Sequence, residues 1–295
     1  MKDATSQQFH AGWAHSFASA KDVLTVDFTY MILHHGWRWI DINPLIGGVR
    51  PLAAATLKLY GDSNLLGPVN LDSASASAIY SETAVHFEHR FSARSAFQLN
   101  YILSWSNADG GVGDGGVGAS ATGGGPAYPQ VPSPQGGALF APWEYGPTNV
   151  DERHRITATG IFNLPFKIEL APSLTYGSHR PYTLVSGPNP DGDGNAQLLN
   201  AAGLPIGINT QRGSALFNVN ARVSRIFPFG KDGRYKVAAF GELYNITDRA
   251  NFGNVYGGTF GTTTFERPTG YLGGTGATSN IPVSFQVQFG GRFSF

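Results

Sequence analysis

The chain has 295 residues, of which 39 are glycine and 18 proline, and this content argues against a long helical bundle because both residues disfavour helix interiors. Lys and Arg together number 20, as do Asp and Glu, so no basic excess is available to neutralise a nucleic-acid backbone. The chain has no cysteine, which excludes disulfides, thiolate zinc sites and thiol nucleophiles.

Alternation of apolar and polar residues predicts nine β-strands, because a period of two puts every apolar side chain of a strand on one face. The alternation is clearest at 97–105 and 217–224. No stretch is long and apolar enough for a transmembrane helix, and the first residues carry no export signal. The predicted strands, in chain order, are 7–17, 22–40, 79–91, 96–106, 153–164, 167–179, 214–227, 234–245 and 282–295.

The connections between these strands alternate between short and long. The short ones lie near 18–21, 92–95, 165–166 and 228–233. The long ones lie near 41–78, 107–152, 180–213 and 246–281. Compact soluble domains rarely contain four structureless loops of this size, whereas outer-membrane barrels join their strands in this way. We therefore predict an all-β fold, an antiparallel up-and-down transmembrane β-barrel portion with long extracellular loops. An odd number of antiparallel strands cannot close a barrel alone, so we expect an incomplete, open sheet with disordered long loops.

The last strand alternates up to an aromatic C-terminal residue, which is typical of a barrel-closing strand and resembles the signal that outer-membrane barrel assembly machinery reads. Its apolar residues would face lipid. Polar residues of other strands would line the lumen. The closing residues are Val287, Phe289, Phe293 and Phe295, and the lumen-facing candidates are Gln98, Asn100, Asn218, Asn220 and Arg222.

Three further motifs could carry chemistry. The charge cluster Asp151, Arg153, His154 and Arg155 stands at the start of a predicted strand, where we expect turn-anchoring ion pairs rather than an acid/base pair, because no nucleophile accompanies it. Gly111 to Gly116 matches a dinucleotide fingerprint, but no helix follows, so we interpret it as a loop. Asp191, Asp193 and Asn195 begin like a calcium loop without its later ligands, which favours an acidic turn over a weak cation site. Neighbouring histidines differ by odd numbers and so point to opposite faces, which argues against chelation.

Four stretches resemble the C-terminal barrel region of TonB-dependent outer-membrane receptors, in particular the Oar-like subgroup. Two departures occur in the last stretch, at Tyr244 and Asp248, and one in the third, at Asn220. The four stretches are Asp151-Glu152-Arg153-His154-Arg155, Arg180-Pro181-Tyr182-Thr183, Asn220-Ala221-Arg222-Val223-Ser224-Arg225-Ile226-Phe227, and Glu242 through Gly253.

This resemblance implies that residues 1–295 are the C-terminal part of a receptor barrel of 22 strands, with its plug domain and N-terminal strands absent. The implied function is energised uptake of a large or scarce substrate, with no catalytic residue and no cofactor. The implied partners are outer-membrane lipid, the barrel assembly machinery, the TonB complex through the missing N-terminal part, and an extracellular ligand, but not nucleic acid. A passive porin-like barrel, a barrel enzyme and a secreted β-sandwich adhesin are the alternatives.

Overall fold

The structure is a computed structural model that describes residues 2–17, 21–43, 48–67, 69–109, 145–185, 200–202, 204, 206–231, 234–272 and 281–295. Twelve strands and one α-helix lie within these ranges. The strands are β1 (Thr5–Ser16), β2 (Asp22–Asp41), β3 (Asn70–Ser92), β4 (Ser95–Asp109), β5 (Tyr145–Pro147), β6 (His154–Leu164), β7 (Ile168–Gly177), β8 (Pro181–Tyr182), β9 (Gln211–Arg212), β10 (Leu216–Phe229), β11 (Tyr235–Tyr244) and β12 (Gln286–Ser294), and the helix is α1 (Ala53–Tyr60).

Nine long strands form one antiparallel sheet in the order β1-β2-β3-β4-β6-β7-β10-β11-β12, with the short β5 paired to β4. Each of the nine long strands coincides with a predicted one, and the up-and-down all-β architecture is confirmed. The strands β1 and β12 are the two edges, and no pairing joins them in the described part of the chain. The sheet is therefore open, as the odd strand count predicts.

The predicted boundaries were wrong at two strands. The third strand begins at Asn70 instead of 79, because a Ser- and Ala-rich segment pairs with the far half of β2, which is interrupted there by two register shifts. Such small residues give almost no hydrophobic alternation, so the pairing is set by the neighbouring strand. The last strand begins at Gln286 instead of 282.

The long connections are also not structureless where they are described, contrary to prediction. The first contains α1, the second β5, and the third the β8-β9 pair. In the last, isolated bridges join Val185 to Thr259, Tyr256 to Pro268 and Gly257 to Phe265. No helix in the described ranges is long and apolar enough to cross a membrane.

The register gives the sheet one polar and one apolar face. On the polar face, one row of paired residues runs across six neighbouring strands. The next row along the strands lies on the apolar face and runs across seven. These rows are Thr25, His86, Asn100, Thr157, Thr175 and Asn218, and then Trp13, Val26, Val85, Tyr101, Ile156, Tyr176 and Phe217.

No second layer of structure packs against the apolar face in the part of the chain that the structure describes. Among the described residues only five hydrophobic side chains are buried, namely Ala76, Ala108, Leu184, Ile208 and Leu216. Large apolar side chains on this face, such as Trp13, Phe227 and Phe289, are instead exposed. A β-sandwich buries its apolar faces against each other, so a single uncovered sheet argues against the sandwich alternative. An apolar face of this extent requires a non-aqueous environment.

Candidate functional site

The predicted lumen-facing residues all lie on the polar face, but their surroundings differ. Gln98 is exposed. The Asn100 Oδ1 atom accepts a hydrogen bond from His86 Nδ1 at 2.6 Å, and Asn100 Nδ2 donates to Thr157 Oγ1 at 3.3 Å. These bonds link β3, β4 and β6 through their side chains, so His86 and Thr157 belong to this surface although the sequence did not single them out.

The three candidates on β10 are engaged more closely with neighbouring elements. Asn218 is buried, and its Oδ1 has no hydrogen-bond partner in the described structure. Asn220 Oδ1 accepts the backbone N–H of Asn245 at 2.8 Å. Arg222 donates to Glu242 Oε1 at 3.1 Å, and its guanidinium lies 4.0 Å from the centroid of the Phe240 ring. Of these three candidates, only Arg222 is exposed.

A buried ion-pair network, which we call the charged rim, stands at the long-loop end of β4 and β6. It is centred on Asp151, whose side chain is 0% exposed. Asp151 Oδ2 is 2.9 Å from Arg153 Nε and 2.9 Å from Arg212 Nη2, and Asp151 Oδ1 accepts the Ser106 N–H at 3.1 Å. The carboxylate thus joins the start of β6 to β4 and β9. These fixed donors compensate the negative charge of the buried carboxylate.

Glu152 forms the second half of the charged rim. Its Oε1 is 3.2 Å from Arg155 Nη1 and its Oε2 is 2.8 Å from Arg180 Nε. A methyl group at Gly177 would overlap this carboxylate, so the absence of a side chain at 177 makes room for the glutamate. The charged rim therefore contains two carboxylates, those of Asp151 and Glu152, and four guanidinium groups, those of Arg153, Arg155, Arg180 and Arg212.

His154 points away from the rim, to the apolar face, where its Nδ1 lies 2.9 Å from Tyr101 Oη. The sequence motif thus divides by strand alternation, with Arg155 on the polar face and His154 opposite. Sequence reasoning missed Arg212, since no pattern in the chain ties that residue to Asp151. Arg180 could have been found, because it opens the second stretch of the receptor resemblance.

The stretch from Glu242 to Gly253 forms a second buried polar cluster, at the long-loop end of β11. Asn245 is fully buried, with a φ of 47°. Its Nδ2 donates to the carbonyl oxygens of Arg249 at 3.1 Å and Pro282 at 3.3 Å, and its Oδ1 accepts the Arg249 N–H at 3.2 Å. Asn251 bonds the backbone of Phe217 through both side-chain atoms, at 2.9 and 3.2 Å. The cluster ties the last long loop to β10 and to the approach of β12.

Tyr182 lies in the third long connection. Burial, and then the nearby Glu266 carboxylate, raise the pKa of Tyr182 above its usual value. Its ring stacks on Tyr256 with centroids 5.2 Å apart. The stack joins two of the long connections.

The closing residues lie on the apolar face of the edge strand or just beyond it. Phe289 is 82% exposed and Phe295 is 91% exposed, while Phe293 is 5.9 Å from the Phe295 ring and 6.1 Å from that of Phe229. Val287 pairs with Leu243 of β11. These aromatic side chains form part of the uncovered apolar face.

Two predicted motifs lie outside the described residues, namely the glycine-rich stretch 111–116 and the weak cation candidate Asp191, Asp193 and Asn195. Within the described ranges, no group of three or more His, Cys, Asp and Glu side chains could hold a metal ion.

Comparisons with known proteins add two findings to this geometry. A family model described as "Outer membrane beta barrel domain" matches residues 1–173. Among solved structures, the chain is similar to the crystal structure of the outer membrane transporter YddB from Escherichia coli, with a TM-score of 0.50 and 12% sequence identity. The match covers 84% of this chain and 29% of the transporter chain, so this chain spans under a third of that protein. A search of curated proteins found no match.

Proposed function

The chain belongs to the outer membrane β-barrel domain family, and on that premise we propose that it forms part of the barrel of a TonB-dependent outer-membrane transporter. It would supply about nine strands at the C-terminal side of a larger barrel, with the plug domain and the preceding strands provided by the rest of the protein. The proposed activity is energised uptake of a substrate too large or too scarce for passive pores. The work is binding and gating, without covalent chemistry.

The observation that supports this proposal is an open sheet with one polar and one apolar face. Its two edges, β1 and β12, leave backbone groups available to further strands, and an exposed edge of this length is normally paired or covered. The likeness to a longer outer membrane transporter agrees with such additional strands. The apolar face would contact lipid, and the polar face with its charged rim would line the lumen.

The roles of the parts follow from this orientation. The long connections would lie outside the cell and contribute to ligand capture, while the aromatic end of β12 would be read by the barrel assembly machinery. The TonB complex would act through the N-terminal part of the protein. The Oar-like subgroup remains the best resemblance for the motifs at Asp151, Arg180 and Asn245.

Energised uptake is tested in the source bacterium with and without this gene. Labelled ferric siderophore, cobalamin, oligosaccharide and peptide are supplied as separate probes. We expect the deletion to abolish uptake of one probe class, and dissipation of the inner-membrane proton gradient to abolish the same uptake in the parent strain. Uptake that persists without the gradient, together with ion conductance of the purified protein in planar bilayers, would instead establish a passive pore.

The assignment of the two faces is tested by a pair of neighbouring substitutions in β4. Leu99 lies on the apolar face and Gln98 on the polar face. We expect Leu99→Lys to lower the free energy of unfolding in lipid vesicles by about 2–4 kcal/mol, because it places a charge against hydrocarbon. Gln98→Lys should change it by less than about 1 kcal/mol, because its side chain would remain in water. The free energies are measured by urea titration. If both variants lose the same free energy of unfolding, the proposed orientation of the two faces is wrong.

A further inference from the structure

A cleft of about 220 Å³ opens on the polar face over the middle of β3, β4 and β6. Its polar-face polar side chains are those of His86, Asn100, Arg155 and Thr157, and Ala84, Val85, Tyr101 and Ile102 complete the lining. No carboxylate is among the described residues that line it. The cleft is separate from the buried carboxylates of the charged rim but adjoins them through Arg155.

Arg155 enters the cleft with most of its hydrogen-bonding capacity unused. In the described structure its side chain makes one hydrogen bond, from Nη1 to Glu152 Oε1, and it is 41% exposed. A guanidinium has five N–H donors in a fixed planar fork, which matches the oxygen pairs of a carboxylate or a phosphate. Arg180 binds the other carboxylate oxygen of Glu152. One negative charge is therefore shared by two guanidinium groups, and the pair of arginines keeps a net positive charge.

One other side chain of the cleft, that of Thr157, offers a free donor. Since Asn100 Oδ1 accepts from His86 Nδ1 and Asn100 Nδ2 donates to Thr157 Oγ1, the Thr157 hydroxyl hydrogen is free to point into the cleft. The polar-face carboxylates nearest the cleft belong to Asp27, Glu82 and Glu88, and Glu82 Oε2 accepts a hydrogen bond from Tyr80 Oη. Glu88 is paired with Arg90 at 2.6 Å, and Asp27 lies 3.6 Å from His10. The charged rim next to the cleft has four guanidinium groups against two carboxylates, which favours an anion at this position.

We propose that this cleft binds the oxyanion group of a small solute, a carboxylate or a phosphate, with Arg155 as its principal contact and Thr157 as a second donor. The inference rests on the proposed function only for the placement of the polar face in a water-filled lumen. The substrate would therefore carry an anionic oxygen group, and it would bind inside the barrel, below the long loops.

The test uses isothermal titration calorimetry of the whole chain in detergent micelles, with citrate and inorganic phosphate as separate probes. We expect saturable binding of at least one probe to a single site. Arg155→Gln should weaken this binding roughly tenfold or more, because it removes charge-assisted hydrogen bonds. Thr157→Val, which leaves every ion pair of the rim intact, should weaken it several-fold.

Arg90→Gln is the matched control, because Arg90 is also held by one glutamate on the polar face but lies outside the cleft. This variant should weaken binding less than Arg155→Gln does, because it frees the Glu88 charge near the cleft but removes no donor from the cleft. No saturable heat with either probe, or equal weakening by Arg90→Gln and Arg155→Gln, would overturn the inference. The titration needs no proton gradient, so its result is independent of how uptake is driven. If the cleft binds a probe but cellular uptake is passive, the anion site is supported and only energised transport is refuted.

Discussion

Replacing Asp151 by asparagine is expected to lower the free energy of unfolding by about 3 kcal/mol, the lower end of the range for breaking a buried ion pair. The substitution keeps the volume of the side chain and removes its charge. Arg153 and Arg212 then lose their common counter-ion. Both are about one-third exposed, so water partly compensates them and the upper end of the range does not apply. The measurement is unfolding by urea in lipid vesicles, monitored through tryptophan fluorescence.

The ion pair between Glu88 and Arg90 provides a control with the same sequence spacing. In both pairs the acid is two residues before the arginine and contacts its Nε, at 2.6 Å for Glu88 and 2.9 Å for Asp151. Arg90 is 67% exposed, so Glu88→Gln should cost less than about 1 kcal/mol. If Asp151→Asn costs no more than Glu88→Gln, burial of the carboxylate contributes nothing and the charged rim is not a structural junction.

The face on which each side chain lies could be predicted from the sequence. Strand alternation alone places Arg155 and Gln98 on the polar face and Phe289 on the apolar face, because side-chain direction in a strand is a local property. The nine strands followed from the same rule. The resemblance to receptor motifs included Glu152 and Arg180, in two separate stretches, but gave no reason for their contact.

The burial of Asp151 could not be predicted, because it depends on Arg212, which lies 61 residues further along the chain and whose short strand shows no alternation. The start of β3 escaped prediction for a related reason, since pairing with β2 and not its own hydrophobicity makes it a strand. The departure at Asp248 is explained by the structure. Its Oδ1 accepts the Phe285 N–H at 2.8 Å, and because an asparagine oxygen could accept the same hydrogen bond, either residue fits this position.

Asn245→Ala is expected to lower the free energy of unfolding by about 3 kcal/mol, from two separable causes. The first is the loss of two side-chain hydrogen bonds, to the carbonyl oxygens of Arg249 and Pro282, each worth about 0.5–1.5 kcal/mol. The second is the left-handed backbone at 47°, which costs an alanine about 1–2 kcal/mol. Asparagine tolerates this conformation and supplies the bonds.

The glycine variant separates the two causes, because Asn245→Gly removes the same hydrogen bonds but accepts a positive φ freely. It should be less destabilised than Asn245→Ala, by about 1 kcal/mol. Both variants should speed deuterium exchange in 246–254 and 281–289, since Asn245 links the loop after β11 to the carbonyl of Pro282 before β12. Unchanged exchange in 281–289 would mean that β12, the edge that carries the aromatic terminus, is held by its pairing with β11 alone. Faster exchange there would make Asn245 the residue that couples the last long loop to the edge strand.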